Sequence, residues 1–158
     1  MKGNEKLLEK LNDLLSDELT AVNQYMVHAE MDEDWAYTRL SETVERRAIQ
    51  EMKHAEALIA RILFLEGTPN VTNYKGIFIG PDVKKQLEND HKAEEDAIAS
   101  YNDGIKLACS VSDHGTEQLL KSNLKDEEDH IDWIESQLDQ IEQVGIQNYL
   151  AEQIKEGE

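Results

Sequence analysis

Cysteine is almost absent from this chain of 158 residues: Cys109 stands alone, so no disulfide can form within it. A single thiol suits a reducing compartment, and predicts a cytoplasmic setting. Proline is scarce too, and its two copies, Pro69 and Pro81, lie close together. Residues 1–68 and 82–158 therefore hold no obligatory helix breaker. Cations are outnumbered, 16 Lys and Arg against 34 Asp and Glu, for a formal charge of −18. That balance opposes nucleic-acid backbones and anionic membrane surfaces, which select basic patches, and it suits cations. No apolar run approaches the roughly 20 residues of a membrane span; residues 57–60 and 62–65 are split by Arg61. The opening Met-Lys-Gly-Asn-Glu-Lys carries charges of both signs and leads into no apolar secretory core, which predicts no leader. High charge would fit disorder, but 39% hydrophobic residues at regular spacing do not. The length fits one domain with a real core.

What is there is helical periodicity. Leu7, Leu11, Leu15, Val22, Tyr25 and Ala29 step by three, four or seven, which predicts a first helix over residues 4–32. Asp34 is placed to cap a second helix over 35–65, with Val44, Ala48, Ala55, Leu58, Ile62 and Leu65 on its stripe and Gly67 just past its end. Residues 66–80 have no helical period and read as a long surface crossover. Pro81 suits the first position of a third helix over 81–109, striped by Val83, Leu87, Ile98, Tyr101, Ile105 and Ala108. A fourth helix over 113–144 carries Leu120, Leu124, Ile131, Ile134, Leu138 and Ile141, and Gly145 separates it from a short fifth over 146–154. The halves match at an offset of 76 positions: Leu7 with Val83, Leu11 with Leu87, Tyr25 with Tyr101, Leu58 with Ile134. The expected fold is all-α, a duplicated helix hairpin forming an antiparallel four-helix bundle with one long crossover and a short fifth helix.

Acids interrupt the stripes. Glu18 falls between Leu15 and Val22, Glu51 between Ala48 and Ala55, Glu94 between Leu87 and Ile98, and Glu127 between Leu124 and Ile131. Each helix thus aims one carboxylate inward. Two continue as Glu-x-x-His, Glu51–His54 and Glu127–His130, which puts both side chains on one face a turn apart. Glu18 and Glu94, like Glu51 and Glu127, are related by the same 76-residue offset, so all four sit at one level. Buried carboxylates without partners cost several kcal/mol each, and no stripe position offers a Lys or Arg. Two divalent cations would balance four negative charges, with two imidazoles completing the ligands. Mixed carboxylate and imidazole ligation suits iron or manganese. Glu51 and Glu127 are placed to bridge, Glu18 and Glu94 to terminate. A third match, Glu88–His91, shows that the spacing alone is weak; stripe position and the repeat carry the reading. His91 lies a turn from Glu94 but its repeat mate is Leu15, so it reads as a polar core-edge residue or an accessory ligand. His28 and His114 find no matching partners and read as surface residues.

With these residues in view, the chain resembles the bacterioferritins over nearly its whole length. The likeness rests on MKGNEKLLEKLNDLLSDELTAVNQY, EMKHAEALIARILFLEG and DEEDHIDWIESQLDQIEQVGIQNYL. It implies a ferritin-like fold with a di-iron ferroxidase site made by Glu18, Glu51, His54, Glu94, Glu127 and His130. It also implies a hollow 24-subunit cage that oxidises Fe(II) with O₂ or H₂O₂ and stores a ferric mineral. Haem b, one per dimer, is expected between two copies of Met52, and a ferredoxin-type reductant for iron release. Met52 is about 100° around the helix from Glu51, off the stripe, with Ile49 and Ile59 on its flank; alone, it would suggest only packing against a partner. Some family members bind a further iron on the inner surface through His and Asp where this chain has Arg46 and Gln50, and some carry Tyr where it has Leu58. Tyr25 remains beside the site. The competing readings are a rubrerythrin-like di-iron peroxidase, whose Cys-x-x-Cys module is absent, a DNA-protecting mini-ferritin, and a non-catalytic haem-binding bundle.

Overall fold

The apolar stripes become five helices. In the computed structural model, which describes residues 1–155, these are α1 (Glu5–Asp34), α2 (Thr38–Phe64), α3 (Val83–Ser110), α4 (His114–Val144) and α5 (Ile146–Gln153). Three have side-chain caps: Asn4 accepts from the Leu7 N–H, Asp82 from Lys85 and Asp113 from Thr116. The expected caps differ in two places. Asp34 ends α1, and the unassisted Tyr37 precedes α2. Pro81 lies outside α3, because Asp82 takes the capping position.

The first three long helices end alike. After α1, Ala36 N–H bonds Glu33 O and Tyr37 N–H bonds Asp32 O, with Ala36 at φ 61°. The same paired bonds follow α2 around Glu66 and α3 around Ser112, at φ 62° and 57°. These are Schellman ends with a non-glycine residue in the left-handed conformation. Gly67, expected to supply that conformation, instead donates the outer bond to Ile62 O. Gly145, at φ 81°, is the one glycine among the described residues that takes a left-handed φ, at the kink between α4 and α5.

Tight turns make α1–α2 and α3–α4 antiparallel pairs, the strongest contacts in the bundle, and α1 also packs on α3. The crossover, residues 65–82, climbs the side of α1. Asn12 accepts from the Asn70 N–H at 2.7 Å, Ser16 Oγ donates to Asn73 O at 2.8 Å, and Thr20 Oγ1 accepts from Lys75 N–H at 2.8 Å. Gln24 Oε1 accepts from Phe78 N–H and His28 Nε2 from Gly80 N–H, both at 3.0 Å. These five residues are spaced by four, so they form one polar row along the helix that satisfies backbone groups of an irregular segment. His28 is therefore fully buried rather than on the surface. Its Nε2 accepts, so Nδ1 carries the proton toward Asp90, 2.9 Å away. Gly80 closes the crossover where a Cβ would stand 2.2 Å from the Gln86 backbone nitrogen.

Apolar clusters lie on both sides of the acid level. Leu7, Leu11, Leu15, Leu58, Ile62 and Leu120 belong to one; Leu40, Val83, Leu87, Ile134 and Tyr149 to another, which α5 helps to close. No described helix is long and apolar enough to cross a membrane.

Candidate metal centre

One residue from each of α1 and α3 and an i, i+3 pair from each of α2 and α4 converge between the two clusters. Glu18, Glu51, His54, Glu94, Glu127 and His130 are all buried. Their ligand atoms form two groups of four, Glu18–Glu51–His54–Glu127 and Glu51–Glu94–Glu127–His130, each spanning no more than 4.8 Å. Glu51 and Glu127 belong to both. His54 Nδ1 is 3.0 Å from Glu127, 3.2 Å from Glu51 and 3.4 Å from Glu18. His130 Nδ1 is 2.9 Å from Glu51 and 3.3 Å from Glu94. Both groups lie within one chain, which separates this site from one assembled between subunits.

The outer ring nitrogens are held from behind. His54 Nε2 lies 2.9 Å from Asp126, and His130 Nε2 2.7 Å from Gln50 Oε1. Each ring thereby donates outward and turns its Nδ1 to the interior, where it would offer a lone pair to a metal that displaces the proton it shares with the carboxylates. Two tyrosines complete the shell: Tyr25 OH donates to Glu94 and Tyr101 OH to Glu18. Sequence reasoning placed Tyr25 beside the site but read Tyr101 as a stripe residue; its position 76 after Tyr25 is the signal that marks it. His91 lies outside both groups, its Nε2 3.0 Å from Glu135. Arg46 donates to Thr43 Oγ1 at 3.1 Å, and His114 is exposed beside Glu117.

Electrostatics show what the pocket lacks. Burial raises the Glu51 carboxyl well above its ordinary range, and the like charges of Glu18 and Glu127 add to it. Glu94 is raised by burial and by Glu127, and Glu127 by burial first. Burial works to lower His54, but its hydrogen bonds to Glu127, Glu18 and Glu51 outweigh that and raise it. Glu51 Oε1, Glu94 Oε2 and Glu127 Oε1 are buried with no well-directed hydrogen bond. Oxygens in this state are the expected mark of an ion-binding cage. A cavity of about 500 Å³ between α1, α3 and the crossover runs from exposed Lys92 and Asp96 to Glu18, Glu94 and Glu127. Lys75 bridges Asp13 and Asp17 at its edge, at 2.8 and 2.7 Å.

Comparison with known proteins agrees with this geometry. The family model for the ferritin-like domain matches residues 8–144. A bacterioferritin of Brucella melitensis is 45% identical over 149 residues, 94% of this chain and 92% of that protein. A bacterial ferritin of Pseudomonas aeruginosa is 41% identical over 155 residues, 98% of this chain and all of that protein. A bacterioferritin of Rhodobacter capsulatus is 38% identical over 149 residues. The chain belongs to the bacterioferritin family. As a bacterioferritin with a buried Glu/His di-iron site, it is an iron-storage protein and a ferroxidase. Membership also implies a homo-oligomer, with iron and O₂ as substrates.

The raised groups set a pH dependence. Glu51, Glu94 and Glu127 lie above 4.5 in the folded protein, so their contribution to stability is complete below that pH and is lost as pH rises through the raised values. His54 acts in the same direction above 6.5, and Asp32, pushed up to about 7 by burial, adds to the trend. Divalent metal takes the deprotonated ligands and reverses the loss. The Tm difference between Co(II)-loaded and metal-free protein should therefore widen from about pH 5.5 to about pH 8. A difference that narrows over this range contradicts the assignment.

Proposed function

We propose that Glu18, Glu51, His54, Glu94, Glu127 and His130 bind two Fe(II) ions side by side, with Glu51 and Glu127 bridging and Glu18 and Glu94 each terminal on one. The observation that carries this is the pair of four-residue groups sharing Glu51 and Glu127, lined by buried oxygens without directed partners. Four carboxylates and two neutral imidazoles give two dications a charge-balanced cage of hard and borderline ligands, which suits iron. Fe(II) reaches it through the cavity beside Lys75, drawn by an acidic surface. Two electrons then pass to O₂ or to H₂O₂, and Fe(III) moves on to the mineral. The six ligands fix the metal geometry and supply negative charge that favours the ferric product. Tyr25 and Tyr101 hold Glu94 and Glu18 in place through their hydroxyls.

The assembly in this reading is a 24-subunit cage. Its support is apolar surface left open on one chain: Met26, Ile49, Met52 and Phe78 are all at least two-fifths exposed, at 50, 48, 41 and 66%. Met52, on the outer flank of α2, offers a soft thioether, and one from each chain of a dimer would hold a haem b. Bound there, the haem would supply an electron path between the reductant and the stored iron. That reductant is a ferredoxin-type protein in this reading, and a cytoplasmic setting keeps the exposed Cys109 reduced.

Two experiments test these assignments. Anaerobic loading with Fe(II) followed by O₂ should show a fast oxidation phase saturating at two irons per chain. Glu51→Ala or His130→Ala should slow it roughly 100-fold or more; a variant that keeps the phase contradicts the ligand set. Met52→Leu should remove the bis-methionine haem spectrum and leave the assembly intact, and an unchanged spectrum rejects Met52.

A further inference from the structure

The 76-residue repeat places equivalent side chains around the two metal positions, and the equivalence fails one layer out. Positions 50 and 126 are repeat mates with matching geometry. Behind His54 stands the Asp126 carboxylate at 2.9 Å; behind His130 stands the Gln50 amide oxygen at 2.7 Å. A carboxylate accepting the outer N–H pushes more electron density onto Nδ1 than an amide does, so His54 is the stronger donor. Asp126 is 36% exposed, and solvent screens its long-range field. Its direct hydrogen bond to the ring is the part that survives.

A second pair breaks the symmetry independently. Positions 47 and 123 are repeat mates as well. Asn123, on the Glu18 side, is neutral and donates to Tyr101 OH at 3.1 Å. Arg47, on the other side, is packed 5.6 Å over the Trp133 ring and lines a small cavity with Tyr25, Glu94 and His130. Asp126 thus adds a negative charge behind the Glu18–His54 position and Arg47 a positive charge beside the Glu94–His130 position; Asp90, which lines the same small cavity and has Leu14 as its repeat mate, is turned to His28 Nδ1 at 2.9 Å and Gln24 Nε2 at 2.8 Å. Both differences act on a divalent cation in the same direction. The tyrosines at 25 and 101, which the repeat preserves, do not offset them.

We propose that the two metal positions are inequivalent: the Glu18–His54 position fills first and binds more tightly, and Asp126, Gln50 and Arg47 are the positioning residues that set this order. The inference rests on the two-metal reading of the site. Outer partners of metal-bound imidazoles change affinity by roughly 10–100-fold, which fixes the expected size of the gap.

The test uses the intact assembled protein, stripped of metal, and Co(II) as the probe. Calorimetric titration should resolve two steps per chain separated by at least roughly tenfold. In crystals given one Co(II) per chain, anomalous scattering should concentrate beside His54. Exchanging the two outer partners, Gln50→Asp together with Asp126→Asn, should move the first-filled position to His130, and Arg47→Asn alone should narrow the gap. Neither exchanged side chain belongs to the apolar core, so the swapped protein keeps a folded reference for comparison. Equal scattering at both positions, or an order unchanged by the exchange, overturns the inference while leaving the two-metal site standing. Failure to bind a pair of Co(II) ions overturns both.

Discussion

Mutual repulsion among four carboxylates in a dry interior is the constraint around which the bundle is built. Glu18, Glu51, Glu94 and Glu127 are each no more than 2% exposed, and among the described residues their ion-pair contacts are with His54 and His130 and with no lysine or arginine. Left alone, such a layer holds protons, and the raised carboxyl groups of Glu51, Glu94 and Glu127 express that. Dications remove the conflict. The ferroxidase chemistry therefore shares its origin with a stability problem: the same acids that disfavour the empty interior create the affinity for iron.

The remaining architecture holds that layer in place. Leucine-rich packing on one side and the cluster closed by α5 on the other exclude water from it. Short Schellman-ended turns keep each Glu-x-x-His helix registered against its hairpin partner, and the polar row on α1 fastens the crossover that borders the cavity leading to the ligands. The hairpin duplication explains why one level of the bundle offers two half-sites. It also explains why their differences at positions 47, 50, 123 and 126 are visible as departures from a common plan.

The helices and the six buried Glu and His residues that converge between them were legible in the sequence because both obey a period: apolar residues recur at helical spacing, and acids replace them at positions repeated 76 apart. Helix ends were less legible. Ala36, Glu66 and Ser112 adopt a left-handed conformation that their identities do not advertise, so Asp34, Gly67 and Pro81 were assigned places one to three residues away from the actual caps. His28 was misplaced because its partner is the backbone of Gly80, and the path of an irregular crossover leaves no periodic trace of its own. The row Asn12, Ser16, Thr20, Gln24 and His28 was present as a pattern, but a polar row on a helix ordinarily faces water. Tyr101 was hidden by being apolar enough to count as core, although its hydroxyl reaches Glu18.

The most direct measurement is the number of protons released as metal-free protein takes up Fe(II) without oxygen, in weak buffer near pH 6.5. If buried acids hold protons until dications replace them, release climbs with each addition and breaks at two irons per chain. Two irons bound without proton release, or release with no break at that ratio, would contradict the account.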